Sequence, residues 1–247
     1  MDFGQSVVGS PLTLIVTAAS AALAFTVAWS IYDYNAWIAF GTGGTPSHIR
    51  GYMKMTKFRV LRALSADHMT DASKLPTTGP SYLSKLLPRR QGPVPRMLAR
   101  TMPQRQSPAP LDDAVSKRLH ALPSVYAQKY PNLLILDKSI TEGRSTDAIY
   151  ARSELHGRKK ATQDPILGDE IAHVHPADNS LHVWLTTTDT RKVVEAGWGQ
   201  RFPLASLGIC DEGWTFVYAP RSMDEVEVVD QIVRAGIGHL TGESVTA

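Results

Sequence analysis

The chain has 247 residues, of which 43% are hydrophobic and 20% charged, which is typical of one globular domain with a short appendage. These values exclude a multidomain assembly and a disordered chain. The lone cysteine, Cys210, excludes an internal disulfide, and the formal net charge of +3 conceals a basic region over residues 50–106.

An apolar stretch near the N-terminus, Leu12–Ile31, is long enough to cross a bilayer, since about 20 such residues span the hydrocarbon layer as a helix. Asp2 precedes it and no Lys or Arg does, which favours an uncleaved anchor over a signal peptide. Aromatic residues lie at its C-terminal end and basic residues begin at Arg50, so we predict a single-pass membrane protein with its bulk in the cytosol. We assign residues 1–40 to the anchor and place it in the endoplasmic reticulum.

Residues 41–110 are basic and rich in proline, which is typical of a juxtamembrane region. Gly51–Leu64 has apolar residues at helical spacing and predicts a basic amphipathic helix. The proline density beyond it excludes long helices and strands. Contact with an anionic membrane surface and a solvated linker are both open interpretations, whereas no motif in the segment indicates nucleic-acid binding.

Residues 111–247 have the pattern of an α+β domain, with a small, mainly antiparallel sheet packed with helices. An amphipathic helix begins near Asp112 and is expected to break at Pro123. The last helix is the most clearly marked, with a capping box at Ser222–Glu225 and Gly242 after its end. A further helix is predicted over 189–195, and strands over 132–137, 147–152, 168–174, 182–187 and 214–219.

Three of the eight histidines fall within ten residues, at His173, His175 and His182. If both flanks are strands joined by a turn, these three and Trp184 share one face of the sheet. Burial and mutual repulsion would tune their pKa values, so we predict the histidines as catalytic acid/base groups. Two alternatives stay open: the same three histidines as ligands of zinc or iron, and histidines that only form hydrogen bonds on a polar face.

A second cluster of special residues lies in Gly197–Leu204, which we predict as a loop. Its glycines allow a ligand to approach the backbone, and Arg201 is predicted to stabilise an oxyanion as a fourth catalytic group. A structural role, in which the segment caps the preceding helix and packs an indole, is equally open. The predicted substrate-binding residues are Trp184, Trp198, Gln200, Phe202 and Tyr218.

Several enzyme templates are missing from the sequence. It has no P-loop, no GxGxxG motif after a strand and no GxSxG elbow. Cys210 has no obvious base beside it. We therefore expect neither a nucleotide, a flavin nor a thiol mechanism, and we predict no cofactor and no bound metal.

Three blocks of the chain resemble the luciferase domain of fungal luciferases and their non-luminous relatives: EIAHVHPADNSLHVWL, KVVEAGWGQRFPLA and WTFVYAPRSMDEVEVVDQIVRAGIGHLTG. The resemblance covers Asp164–Gly242 and implies a membrane-associated enzyme that needs no flavin or nucleotide. Fungal luciferases oxidise a hydroxylated styrylpyrone, 3-hydroxyhispidin, with O₂ and release CO₂ and light. Luminous members typically read GWGQRHPL in the second block, where this chain has Phe202, so we expect a non-luminous relative with a more apolar pocket.

From these patterns we predict a membrane-anchored, cofactor-free enzyme of fungal specialised metabolism. It would cyclise or isomerise a small hydrophobic polyketide or terpenoid, for example by a Diels-Alder-type cycloaddition. Its predicted partners are this substrate and the lipid bilayer, without nucleic acid. The alternatives are a luciferase-like oxygenase of a hydroxypyrone-type enol, with O₂ as co-substrate, and a non-catalytic metabolite carrier.

Overall fold

The apolar N-terminal stretch forms one continuous helix, α1, over Pro11–Phe40. The structure is a computed structural model that describes residues 10–100, 102–154 and 164–247, so the first nine residues of the predicted anchor lie outside it. Ser10 caps the helix by accepting a hydrogen bond from the backbone N–H of Thr13. The helix is long and apolar enough to cross a membrane and is a candidate transmembrane span.

The end of α1 is fixed to a second helix, α2, over Ile49–Leu64, which confirms the predicted amphipathic helix. The carboxylate of Asp33 accepts hydrogen bonds from the Tyr52 hydroxyl at 2.8 Å and from Arg59 at 2.9 Å. It also lies 3.3 Å from a guanidinium nitrogen of Arg100. These contacts satisfy a mostly buried carboxylate and hold α2 against the last turns of the candidate span.

The proline-rich stretch that follows α2 lies against the α+β domain. Its described residues, 65–100 and 102–110, contain no helix and no strand, in agreement with the density of proline. Some of its polar side chains are nevertheless deeply buried, among them Arg90, Gln104 and Arg105. This stretch therefore contributes to the interior of the domain.

A six-stranded antiparallel sheet forms the centre of the domain and confirms the predicted α+β class. The strands are β1 Leu134–Lys138, β2 Asp147–Ala151, β3 Glu170–Val174, β4 Leu181–Trp184, β5 Gly199–Arg201 and β6 Trp214–Val217. They lie in the order β1-β2-β3-β4-β6-β5. The register pairs His173 with His182, and His182 with Phe216. One face of the three central strands therefore carries these aromatic rings.

Three helices cover the other face: α3 over Asp113–Lys129, α4 over Thr187–Glu195 and α5 over Met223–Thr241. The α5 helix packs closely on β3 and β4 because it has glycine at position 236, directly over Val183. Thr190 of α4 forms a hydrogen bond of 2.9 Å with Thr215, the register partner of Val183. The histidine face is left to be covered by α2 and the loops.

Several element boundaries differ by one or two residues from the sequence prediction, and two larger differences have a clear physical reason. Helix α3 passes through Pro123 without a break. Leu122 and Pro123 are both buried, and this packing offsets the hydrogen bond that proline cannot donate. The strand predicted over residues 182–187 ends at Trp184, because Thr186 accepts a hydrogen bond from the backbone N–H of Asp189 and caps α4.

The segment Gly197–Leu204, predicted as a loop, contains the edge strand β5. Gly199 lies so close to β6 that a Cβ atom there would be 2.3 Å from the carbonyl oxygen of Phe216. Glycine at this position is therefore required for the strand pairing. The short strand and its glycine explain why the sequence pattern favoured a loop.

We expect the substitution Gly236→Ala to lower the free energy of unfolding by about 1–3 kcal/mol, the cost of overpacking a core. The added methyl would lie 2.7 Å from Cγ1 of Val183 and 3.1 Å from the carbonyl oxygen of Trp184. Urea unfolding of the full chain in detergent measures the change. Glu227→Ala, on the exposed side of α5, is the control and should stay within about 0.5 kcal/mol. An equally small change for Gly236→Ala would contradict the close packing of α5 on β4.

Candidate active site

Three imidazole rings meet on the histidine face of the sheet. The Nε2 atoms of His173 and His175 are 3.0 Å apart, and the Nε2 atom of His175 is 3.0 Å from Nδ1 of His182. The Nδ1 atom of His182 is also 3.4 Å from Nε2 of His173. All three rings are buried. The alternation of side chains along β3 and β4 thus brings together the histidines that the sequence singled out; we call them the histidine trio.

The outer nitrogen of His173 contacts a buried carboxylate. Its Nδ1 lies 2.6 Å from Oε1 of Glu170, which also accepts hydrogen bonds from the hydroxyls of Ser139 at 2.7 Å and Thr141 at 2.8 Å. Burial raises the pKa of Glu170, but its hydrogen bonds with His173 and the two hydroxyls outweigh burial and hold the pKa below its ordinary value. Glu170 is therefore ionised near neutral pH and orients the His173 ring.

A second buried carboxylate reaches His175 through a serine. The hydroxyl of Ser180 donates to Oδ1 of Asp178 at 2.7 Å, and its oxygen lies 2.7 Å from Nδ1 of His175. Since the only hydrogen of the hydroxyl goes to Asp178, its oxygen accepts from an N–H at Nδ1 of His175. Burial raises the pKa of Asp178 above its ordinary value despite these hydrogen bonds.

The outer nitrogen of His182 contacts a side-chain amide. Its Nε2 lies 3.3 Å from the side-chain oxygen of Gln104. The Gln104 nitrogen donates to the backbone carbonyl of Arg201 at 3.4 Å, which fixes the orientation of the amide. The hydrogen-bond network therefore assigns the N–H of His182 to Nε2 and leaves its inner Nδ1 without a hydrogen.

Burial also sets the charges of the site. It lowers the pKa of His175 and His182 well below the ordinary value for histidine, and the nearby charge of Arg105 adds to the shift. Burial lowers the pKa of Arg105 to about 10, so its guanidinium stays charged near neutral pH. Arg105 forms a buried ion pair with Glu142, whose Oε2 lies 3.7 Å from Nε2 of His173 and 3.9 Å from Nε2 of His175. The site thus combines two neutral imidazoles with a fixed cation.

A cavity of about 170 Å³ lies between α2 and this part of the sheet. His182 and Trp214 form part of its wall, and Phe202 packs edge-on against His182 with 5.1 Å between the ring centroids. Glu142 and Arg105 also face it. Most of the remaining wall is apolar and includes Met55, Phe58, Met102, Leu167, Leu204 and Ile209. An apolar cavity with a few converging polar groups is the usual form of a small-molecule site.

The structure does not bring Arg201 into this cavity. Its register partner on β6 is Thr215, which lies on the helix-covered face of the sheet. Its guanidinium donates to both carboxylate oxygens of Asp67 at 2.9 Å and is buried there. Trp184 also lies outside the cavity wall, with its indole N–H donating to Asp211 at 3.1 Å. The charge of Arg201 therefore stabilises the fold around Asp67.

Three of the predicted substrate-binding residues lie at a different place, near Arg90. The indole N–H of Trp198 donates to the carbonyl oxygen of Pro88 at 2.6 Å, and the Arg90 guanidinium lies 5.8 Å from the Trp198 ring and 5.7 Å from the Tyr218 ring. Tyr218 donates to Gln200 at 3.4 Å, and burial raises its pKa to about 12. Of the five predicted substrate-binding residues, Phe202 alone lines the cavity.

Sequence reasoning did not select the polar groups Gln104, Arg105 and Glu142. Two of them lie in the proline-rich stretch, where no periodicity marks a buried side chain. Arg105 and Glu142 are 37 positions apart, so their pairing exists only in the folded chain. No local signal in the sequence identifies them.

The fold and site together define a class: an α+β protein with a candidate membrane span and a buried histidine trio beside an apolar cavity. The family profile described as Luciferase domain matches residues 168–236, which contain the whole trio. A luciferase of Armillaria mellea is 31% identical over 242 residues, covering 93% of this chain and 89% of that protein. A luciferase of Neonothopanus nambi is 47% identical over 77 residues, covering 30% of this chain and 29% of that protein. No solved structure matches the chain.

These matches extend well beyond the domain that the profile covers. A luciferase of Armillaria gallica is likewise 30% identical over 242 residues, covering 93% of this chain and 89% of that protein. The chain therefore belongs to the fungal luciferase family. This confirms the resemblance of the three sequence blocks.

The serine link to His175 gives a test of the site's architecture. Ser180→Ala removes the acceptor for the Nδ1–H of His175 and one donor to Asp178, so we expect the free energy of unfolding to fall by about 1–3 kcal/mol. Denaturant unfolding measures this change. Ser116→Ala, on the half-buried surface of α3, is the matched control. If both variants unfold at the same midpoint as the wild type, the link makes no contribution.

Proposed function

We propose that this protein is a membrane-anchored enzyme that binds a small hydrophobic enol as its enolate and oxidises it with O₂. The observation that carries the proposal is the placement of Arg105, Glu142 and His182 at one wall of a mostly apolar cavity, with the other two histidines in contact with His182. Such a site can stabilise one negative charge on a molecule whose remainder is apolar.

The size and polarity of the cavity favour a compact, flat substrate. A volume of about 170 Å³ suits one or two rings, since an engineered cavity of about 150 Å³ binds benzene. Apolar walls exclude water and strengthen the electrostatic interactions inside. A hydroxypyrone ring has the required combination of a flat apolar body and one acidic hydroxyl.

Glu142 and Arg105 have different roles in forming the enolate: one accepts the proton and the other stabilises the negative charge. The carboxylate of Glu142 accepts the hydroxyl proton of the substrate, and its ion pair with Arg105 then weakens. The guanidinium charge becomes available to the new enolate oxygen, which a planar donor group binds well. Proton transfer and charge stabilisation are thereby coupled through one buried pair.

The enolate then reacts with dioxygen. Its nucleophilic carbon forms a bond to one oxygen atom, two electrons pass from the carbon to dioxygen, and Glu142 returns the proton to the terminal peroxide oxygen. Substrate and O₂ thus give a hydroperoxide with no other reactant. The luciferase names of the relatives support O₂ as the electrophile.

A lipid surface is the proposed source of the substrate. Met55 and Phe58 of α2 line the cavity, while Met53, Val60 and Leu64 of the same helix are exposed. Because α2 follows the candidate span directly, its exposed apolar side chains suit the membrane interface, and its inner face suits an entrance to the cavity. We place the domain on the cytosolic side of the endoplasmic reticulum membrane.

Cofactor-free cyclisation or isomerisation of a polyketide or terpenoid is a second candidate. The contact of Phe202 with His182 favours it, since this ring narrows the cavity and would restrict a flexible substrate to one folded conformer. The two candidates differ in the mass of the product and in the consumption of O₂.

Membranes bearing the full chain provide the assay, with 6-styryl hydroxypyrones, including 3-hydroxyhispidin, as substrates. We expect O₂ uptake equal to substrate consumed, with both atoms of ¹⁸O₂ in the first product. A product of unchanged mass formed without O₂ uptake would replace this proposal with the isomerase. Saturable binding without any product would replace it with the carrier.

Variants of Arg105 test the charge at the cavity wall. Arg105→Met should lower kcat/KM at least about 100-fold, the usual loss when one oxyanion donor is removed. Arg105→Lys keeps the charge and the partner of Glu142, so it should fold and retain more activity than Arg105→Met. Arg144→Met, at a side chain that is 66% exposed, is the control. Full activity of a folded Arg105→Met variant would contradict the assigned role.

A further inference from the structure

We propose that the inner nitrogens of the histidine trio hold a divalent first-row transition-metal ion. These nitrogens are Nε2 of His173, Nε2 of His175 and Nδ1 of His182, and they lie 3.0, 3.0 and 3.4 Å apart. Metal–nitrogen bonds of about 2.0–2.1 Å at angles between octahedral and tetrahedral place neighbouring ligands about 2.9–3.4 Å apart. The observed separations therefore match three ligands of one ion.

The outer nitrogens of the three rings also favour a metal ion. Each one faces an acceptor: the Glu170 carboxylate, the Ser180 hydroxyl oxygen and the Gln104 side-chain oxygen. A histidine whose outer N–H is bound in this way presents a lone pair at its inner nitrogen. This is the usual arrangement around metal-ligating histidines, which donate the second N–H to a carboxylate or another oxygen acceptor.

Three inward lone pairs at these distances repel one another. One proton between two nitrogens makes one hydrogen bond and leaves the contact of the third nitrogen unrelieved. A metal ion at the centre relieves all three contacts, and imidazole nitrogens are good ligands for zinc, iron, copper and nickel. The arrangement of the rings thus fits a metal ion better than a shared proton.

The charges around the trio are suited to a divalent ion. Glu170, Asp178 and Glu142 are buried carboxylates in this cluster, and Arg105 is the guanidinium paired with one of them. Three carboxyl groups thus lie around the trio with one guanidinium, and a divalent ion would add counter-charge to this buried cluster.

His182 is the ligand that lines the cavity, so we place the open position of the ion on this side of the trio. Oε2 of Glu142 lies 3.7 and 3.9 Å from two of the inner nitrogens and also borders the cavity. Three protein ligands with a further position open to substrate or water are typical of catalytic rather than structural metal sites. A substrate oxygen held at Arg105 would lie next to this position.

Metal analysis of the full chain tests the inference directly. The protein is purified in detergent without a polyhistidine tag or chelator, and its metal content is measured by mass spectrometry. We expect one divalent transition metal per chain in the wild type. After chelation and addition of Co²⁺, we expect the visible d–d absorption of a protein-bound ion, and a higher unfolding temperature with Co²⁺ than without it.

Two kinds of variant separate ligands from structural histidines. His175→Ala and His182→Ala should lose the metal and the Co²⁺ spectrum, whereas His120→Ala should keep both, because His120 lies outside the trio and contacts Asn179. Ser180→Ala keeps all three ligands but loses the acceptor behind His175, so its Co²⁺ affinity should fall about 10–100-fold. If either trio variant does not fold, this serine variant still tests the site.

Two results would overturn the metal site. One is a wild type that contains no more metal than His175→Ala and His182→Ala. The other is a Co²⁺ spectrum identical to that of the free ion in the same detergent. A wild type that is isolated without metal and binds no Co²⁺, yet oxidises the hydroxypyrone, would refute the metal site and leave the oxygenase standing. A bound metal without O₂ uptake would refute the oxygenase and leave the metal site.

Discussion

The site depends on the antiparallel pairing of β3 with β4, which sets His173 opposite His182. This register brings three rings within hydrogen-bond distance, and burial then removes the water that would satisfy their nitrogens. Each outer nitrogen must consequently find a protein acceptor. Glu170, Ser180 and Gln104 meet that requirement, so the demand for hydrogen bonds in a dry interior fixes the surroundings of the trio.

The need for hydrogen-bond acceptors around the trio also explains why elements distant in the sequence cover the histidine face. Helices α3, α4 and α5 occupy the opposite face, so the cover must come from α2 and from the proline-rich stretch. Proline prevents regular structure there, and the irregular backbone carries Gln104 and Arg105 inward. Helix α2, which follows the candidate span, thus also forms part of the cavity wall. The candidate span and the cavity are thereby linked through one helix.

Two buried arginines show how position decides function. Arg105 borders the cavity beside Glu142 and keeps its charge in an apolar wall. Arg201 is equally buried, but both carboxylate oxygens of Asp67 hold it on the other face of the sheet. Family membership supports the expectation of an enzyme, yet only the placement of such groups indicates which charge a substrate meets.

The sequence by itself determined the features that follow local periodicity: the apolar span, the last helix with its cap and the alternation that places His173, His175 and His182 on one face. Only the tertiary structure decided which groups complete the site. Arg105 meets Glu142 across 37 positions, and such contacts depend on how loops close over a sheet. In β5 the neighbouring residues Gln200 and Arg201 point to opposite faces of the sheet, so a register change of one residue would exchange them. No local pattern fixes this register, because an edge strand of three residues is too short to show alternation.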